Sequence, residues 1–200
     1  KVTDEGVGFR STYDGDLINF TPEDAVRTQE ALGADIQMVL DVCSALPATN
    51  DVLREAMIRT YEWAKRAKAT HTRTDDQALF GIVQGGDSEL HRLESATRTT
   101  SLDFDGYAIG GLSVGEPRET MVRILDVLAE NNTLPDDQPR YLMGVGDPIG
   151  MIEAVMRGID MFDCVMPTRN ARHGLLFTSE GVINIKNEKW KNDFSPVDEE

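Results

Sequence analysis

The stretch Gly158 to Gly174, GIDMFDCVMPTRNARHG, concentrates the side chains of this sequence that can do chemistry. An acid, Asp163, sits within an apolar run from Met161 to Met166 that reads as a short buried strand. A carboxylate in such a setting costs free energy unless it has partners or a task. Pro167 ends the run, and the residues after it read as a polar loop carrying Arg169, Arg172 and His173. Two arginines close to an acid point to an anionic ligand, with phosphate the usual one. The combination outlines a site for chemistry on a nucleotide.

The elements that must position this acid appear as a repeated strand–loop–helix order. Ala34 to Asp41 (ADIQMVLD) is an apolar run closing on an acid. Asn50 or Asp51 is then expected to cap a helix that turns Leu53, Ala56, Met57, Thr60, Trp63, Ala64 and Ala67 inward. Ala78 to Gly86 (ALFGIVQGG) is a second strand ending in Gln84 and a glycine pair; its helix, Ser88 to Thr100, places Leu90, Leu93, Ala96 and Thr97 inward. Gly106 to Leu112 (GYAIGGL) repeats the scheme with Met121, Ile124, Leu125 and Leu128. Arg140 to Gly146 (RYLMGVG) repeats it with Ile149, Ile152, Val155 and Met156, and with Gly158 as the stop. Met161 to Met166 is the fifth strand. Val7 to Phe20 reads as a hairpin around DGD, leading to a helix that Thr21 caps, Pro22 opens and Gly33 ends. Leu175 to Lys186 reads as a second hairpin around Glu180 and Gly181.

Five strands joined by helices demand parallel pairing with right-handed crossovers, which leaves a doubly wound sheet or part of a (β/α)8 barrel. Both gather ligands at the carboxyl ends of strands. Those ends carry Asp41, Gln84, Gly110 with Gly111, Met143 with Gly144, and Asp163. Polar groups at every strand end, rather than at one switch point, favour the barrel. The predicted organisation is one partial domain: a hairpin insertion and helix (1–33), five strand–helix units (34–166), and a loop and hairpin (167–200). The opening on Lys1 and the charged tail PVDEE are read as the limits of an internal fragment.

Composition bounds the function. A net charge of −15 over 200 residues argues against nucleic-acid binding through the whole surface, so any RNA contact needs a local basic patch. Arg169, Arg172, Lys186, Lys189 and Lys191, against Glu180 and Glu188, supply one. For most of the acids the plain role is solubility. The two cysteines, Cys43 and Cys164, form no metal or redox spacing, and no signal peptide or membrane span is visible; a reducing cytoplasm is the expected setting.

The motifs DVCSALPA, FGIVQGG, YAIGGLSVGE, RYLMGVGDP and GIDMFDCVMPTRNARHG occur in the order and approximate spacing of the tRNA-guanine transglycosylases, also called queuine tRNA-ribosyltransferases. The chain resembles that family over essentially its whole length, in its bacterial form. The resemblance implies a (β/α)8 TIM barrel with hairpin insertions. Here it would be incomplete, with about five C-terminal βα units and with the N-terminal strands and a zinc subdomain outside the chain. It implies exchange of the wobble guanine of tRNAs with GUN anticodons for the 7-deazaguanine preQ1, in queuosine biosynthesis.

Carried onto this sequence, the resemblance makes Asp163 the nucleophile that attacks C1′ of the ribose and holds a covalent tRNA intermediate, as a carboxylate does in retaining glycosidases. Asp41 becomes the acceptor for ring N–H groups of the base. Gln84 and the Gly111 N–H take its exocyclic oxygen, and Cys43 lies at the pocket edge. Leu112 and Ser113 present backbone groups to the other side of the base, with Glu116 steadying that peptide, while Met143 covers a base face. Thr168, Arg169, Asn170, Ala171 and Arg172 contact the anticodon loop, joined by the loop Gly144, Val145, Gly146, Asp147, Pro148, Ile149 and Gly150. Asp147 departs from the basic residue that relatives often carry there, and an acid weakens phosphate binding unless it faces away. Cys43 and Val114 match the bacterial pattern, which implies preQ1 rather than queuine.

Each of these residues also has a plain structural role open to it. Asp41 can cap a helix start, Gln84 can satisfy a Gly-Gly turn, Met143 can be core and Cys43 a small buried hydrophobe. Gly110 and Gly111 can serve helix–strand packing or cradle a phosphate.

The family's second essential Asp, in an SDSGG-type motif, and its CxCxxC-plus-His zinc cluster are absent from these 200 residues. No metal or other cofactor is therefore expected here, with a structural zinc expected in the full-length protein. The isolated chain is expected to be inactive and poorly folded, because an open barrel exposes strand edges. The partners implied are the tRNA anticodon loop, preQ1 or guanine, and a second copy of the chain; no membrane is implied. A non-catalytic tRNA-binding partner subunit of the same family and an archaeosine-type transglycosylase are the alternatives. Retention of Asp163, Asp41 and Gln84 together argues against the subunit.

Overall fold

Strand and helix alternate from residue 34 onward, and the computed structural model, which describes residues 1–198, gathers five of the strands into one sheet. An antiparallel hairpin, β1 (Val7–Arg10) and β2 (Leu17–Phe20), comes first, then α1 (Pro22–Leu32). The alternating part runs β3 (Ile36–Met38), α2 (Asn50–Thr70), β4 (Ala78–Val83), α3 (Glu89–Thr100), β5 (Gly106–Ile109), α4 (Arg118–Glu130), β6 (Arg140–Leu142), α5 (Pro148–Val155) and β7 (Met161–Phe162). Helix α6 (Met166–His173) comes next, with a second hairpin, β8 (Leu175–Thr178) and β9 (Gly181–Asn184).

The sheet order is β3-β4-β5-β6-β7, all parallel. The order has no reversal, so there is no switch point of the doubly wound kind. Consecutive helices α1 to α5 contact one another. Right-handed crossovers taken repeatedly in one direction put every helix on the same face. The result is an open α/β half-barrel that fits part of a TIM-barrel-like fold.

Local chemistry explains the element limits. Thr21 and Asp24 form a reciprocal capping box, Pro22 opens α1, and Gly33 ends it in the left-handed region at φ 73°. Thr49, not Asn50 or Asp51, caps α2 by accepting from Val52 N; both expected residues lie inside the helix. The inward faces of α2 and α4 are those the spacing predicts. They pack on Leu79, Tyr107, Ile109 and Leu142 of the sheet to form the core, where burying a large aliphatic or aromatic side chain contributes about 1.5–3 kcal/mol.

The structure corrects four further sequence expectations. On α3 the buried residues are His91, Arg92, Ser95, Ala96 and Thr99, while Leu90 is 71% exposed and Thr97 faces solvent. The buried stripe is mostly polar, and apolar periodicity cannot find such a stripe. On α5 the expected inward residues Ile149, Ile152, Val155 and Met156 are all exposed, whereas Gly150 and Ala154 are buried. Small residues let this short helix lie close to its neighbours. The fifth strand stops at Phe162, so Asp163 stands beyond its end rather than inside it. The expected polar loop after Pro167 is helix α6: proline is tolerated in a first helical turn, and Gly174 closes the helix at φ 78°.

Close packing of α3 on β4 depends on Gly81, where an added Cβ would lie 2.5 Å from Phe104 Cδ2 and 2.6 Å from Thr99 Cγ2. Gly81→Ala is expected to destabilise by about 1–3 kcal/mol through overpacking. A lowered urea midpoint with unchanged slope would show it; an unchanged midpoint would contradict the packing.

Candidate active site

The carboxyl ends of the five parallel strands bring together residues from Asp41 to Asp163, in two clusters. The first lies beyond β3, β4 and β5. Asp41 sits past the end of β3 in a stretch tied to the sheet by Val39 N donating to Phe80 O (3.2 Å) and to α2 by Val42 N donating to Thr60 Oγ1 (2.9 Å). Gln84, directly after β4, is 2% exposed. Its backbone N–H donates to Ser95 Oγ at 2.9 Å, and its side-chain Nε2 donates to Asp41 Oδ2 at 2.5 Å. Burial, set against the Gln84 hydrogen bond, raises the Asp41 pKa above its ordinary 3.8.

Gly110 and Gly111, directly after β5, lie against the same amide. A Cβ on Gly110 would be 2.7 Å from Gln84 Nε2, and one on Gly111, at φ 64°, would be 2.3 Å from Gln84 Oε1. Contact with the buried Gln84 amide favours glycine at both positions, and at Gly111 the left-handed backbone favours it as well. Cys43 is exposed as a residue, yet desolvation of its sulfur and the neighbouring Asp41 push the thiol pKa up, against a lowering contribution from the Gly111 N–H. Leu112 is buried. Ser113 adopts φ 61°, and the Glu116 carboxylate accepts from the backbone N–H of Ser113 and, at 2.9 Å, of Val114.

The second cluster lies beyond β6 and β7. Asp163 is exposed, and its Oδ1 accepts from Tyr141 Oη at 2.7 Å and from Gly144 N at 2.8 Å. Both donors converge on one oxygen, and Oδ2 has no hydrogen-bond partner among the described residues. Burial, then Asp163, hold the Tyr141 pKa above the usual phenol range, so this hydroxyl stays a donor. Met143 is half-buried and packs on the core, its N–H donating to Ile109 O at 3.2 Å. Asp147 caps α5, accepting from Gly150 N at 2.9 Å and pairing with Arg118 at 3.5 Å. Its charge is thus committed to its own helix and to a cation. Val145 and Gly150 are buried, Gly146 lies against Cys164, and Gly144, Pro148 and Ile149 face solvent. On α6, Thr168, Arg169, Ala171 and Arg172 are exposed and Asn170 is partly so; neither arginine forms an ion pair among the described residues.

Sequence reasoning misses three members of this region. Tyr141 lies two residues before Met143, so strand alternation offers a signal for it. Ser95 and Arg92 belong to the polar stripe of α3. The Arg92 side chain is wholly buried, and its guanidinium donates to the carbonyls of Gly86 (2.8 Å), Val83 (3.0 Å), Gly110 (2.6 Å) and Gly111 (3.0 Å). Burial lowers its pKa to about 10, which leaves it protonated at neutral pH.

Chemically, the first cluster offers a carboxyl group, a primary amide and backbone N–H groups, a set suited to the polar edge of a planar heterocycle. The second offers a carboxylate oriented through one oxygen with the other free, as a nucleophile requires. The raised Asp41 pKa has a consequence for stability. Its protonated form favours folding below the ordinary pKa, and that contribution is lost as pH rises through the folded-state value. Relative to the wild type, Asp41→Asn is therefore expected to gain stability as pH rises from about 4 to about 8. Thermal melts across that range read it; a variant that loses relative stability toward the alkaline end would contradict the assignment.

The chain is similar to known proteins along its whole length. The family model described as queuine tRNA-ribosyltransferase matches residues 1–200. The queuine tRNA-ribosyltransferase of Thermoanaerobacter pseudethanolicus is 52% identical over 200 residues, covering all of the chain and 53% of that protein. The protein of that name from Bacillus subtilis is 52% identical over 199 residues (100% and 52%), and that from Francisella tularensis subsp. novicida 54% over 198 residues (99% and 53%). The chain spans about half the length of the curated relatives it matches. With the family model matched from end to end, the chain belongs to the queuine tRNA-ribosyltransferase family.

Proposed function

We propose that the protein containing this chain is a tRNA-guanine transglycosylase that exchanges the wobble guanine of tRNAs with GUN anticodons for preQ1, in queuosine biosynthesis. Asp163 Oδ2 attacks C1′ of the ribose, the C1′–N9 bond breaks, and guanine departs with a proton taken up at N9. The incoming base then gives up its own N9 proton and attacks C1′, the C1′–O bond to Asp163 breaks, and the carboxylate is regenerated. The proton donor and acceptor are assigned to the Asp of the SDSGG-type motif that the family resemblance implies, which these residues do not include. The observation that carries the reading is the Asp163 carboxylate, held by Tyr141 and Gly144 through Oδ1 with Oδ2 open, in a chain that matches the family throughout.

Asp41, Gln84, Gly111 and Leu112 form the polar side of the proposed base pocket, and Met143 its apolar wall. Asp41, its pKa raised by burial and its Oδ2 bonded to Gln84, supports a site that exchanges hydrogen bonds with a purine edge. Cys43 and Val114 at its rim favour preQ1 over queuine. The exposed α6 face with Arg169 and Arg172, and the 144–150 loop, are assigned to the anticodon loop. Asp147, committed to Arg118 and to its own helix cap, does not oppose the phosphates. The structural zinc implied for full-length relatives finds no donor set here, since no cluster of three or more His, Cys, Asp or Glu among the described residues is placed to hold a metal ion. No described helix is long and apolar enough to cross a membrane, and we assign the protein to the cytoplasm, with a second copy of the chain as a further partner.

The test is base exchange into tRNA by the full-length protein. Asp163→Asn is expected to lower exchange by roughly 10³-fold or more. Tyr141→Phe, which removes one donor to a charged oxygen worth about 1.5–3 kcal/mol, is expected to lower kcat by about 10- to 100-fold. Exchange that survives Asp163→Asn would sink the nucleophile assignment, and incorporation of labelled queuine but not preQ1 would sink the base assignment.

A further inference from the structure

Arg92 lies near the start of α3 with its side chain entirely out of water. A buried guanidinium is ordinarily matched by a carboxylate. Here every hydrogen bond it makes goes to a main-chain carbonyl at the carboxyl end of β4 or β5: Val83, Gly86, Gly110 and Gly111. These four acceptors come from the two turns that carry Gln84 and the Gly110–Leu112 backbone.

Because a trans peptide is planar, its C=O and N–H point in opposite directions. Nη1 on the Gly110 carbonyl therefore turns the Gly111 N–H away from the core, and Nη2 on the Gly111 carbonyl does the same for the Leu112 N–H. The Gly111 N–H also favours the Cys43 thiolate, the effect of a donor turned to that side. At Gly111, with φ 64° and no Cβ, the peptide would otherwise be free to flip.

We propose that Arg92 is a positioning residue for base recognition: its guanidinium fixes the polarity of the 110–112 backbone so that the Gly111 N–H faces the exocyclic oxygen of an oxopurine and the Leu112 N–H is presented to the pocket beside it. The inference rests on the base-pocket reading above. A lysine retains the charge but not the planar fork that spans acceptors on two strands. Asp163 is held separately, from β6, and its own hydrogen bonds do not involve Arg92.

The test compares wild type and Arg92→Lys in the full-length protein by guanine exchange into tRNA. The variant is expected to raise KM for the base tenfold or more while KM for tRNA stays within about threefold. A purely structural role would lower the melting temperature and the active fraction, hence kcat, with KM for the base unchanged; that result would overturn the proposal. If the variant fails to fold, wild-type protein with 15N-arginine answers the same question. The slowly exchanging guanidinium signals of Arg92 are expected to shift on titration with guanine, and their indifference to saturating guanine would overturn it. Absence of exchange and of guanine binding in the wild type would instead defeat the pocket reading itself.

Discussion

The carboxyl ends of β4 and β5 are held by one buried cation. A parallel sheet leaves the carbonyls beyond its last ladder bond without strand partners, and buried carbonyls without partners are costly. Arg92 satisfies three of them, those of Gly86, Gly110 and Gly111, from a single side chain on the neighbouring helix, and adds a second donor to Val83 O, which already accepts from Gly110 N at 3.1 Å. Desolvation, opposed mainly by the field of Glu116, lowers its pKa to about 10, so the group still carries its charge at neutral pH. The turns bearing Gln84, Gly110 and Gly111 consequently have little freedom, and the Gly110–Gly111 pair is required by Gln84, packed within 3 Å of where either Cβ would be.

That constraint sets a division of labour along the sheet. The β3–β5 side is dense and desolvated, with Asp41 raised in pKa and bonded to Gln84, an arrangement that distinguishes hydrogen-bond patterns. The β6–β7 side is open, with an exposed carboxylate held by two donors through one oxygen. The first suits recognition of a planar base and the second suits attack on a sugar carbon. Their placement at adjoining strand ends fits a reaction in which base and sugar are separated and rejoined.

Much of this is legible in the sequence. The apolar faces of α2 and α4 can be read from periodicity, because those helices bury hydrocarbon and little else. The caps at Thr21 and Gly33 can be read from residue type. Helix α3 escapes such a reading because its buried face includes Arg92, Ser95 and Thr99, whose burial depends on partners in other elements that no local window contains. Helix α5 escapes it for the opposite reason: its apolar residues are exposed and its small ones, Gly150 and Ala154, face inward. Asp163 reads as an acid in a buried strand, but it stands past the strand end in an exposed position. The feature that singles it out is the pair of donors on Oδ1, one of them from Tyr141. Strand alternation alone would place Tyr141 on the same face as Met143.

If the free oxygen of Asp163 bonds to a tRNA ribose, the adduct should be found on that side chain. The experiment is to quench the full-length protein during turnover with tRNA, digest protein and RNA, and locate the nucleotide remnant by mass spectrometry. We predict a ribose-linked fragment on Asp163. A remnant on any other residue, Asp41 included, or base exchange proceeding with no protein-linked remnant, would contradict it.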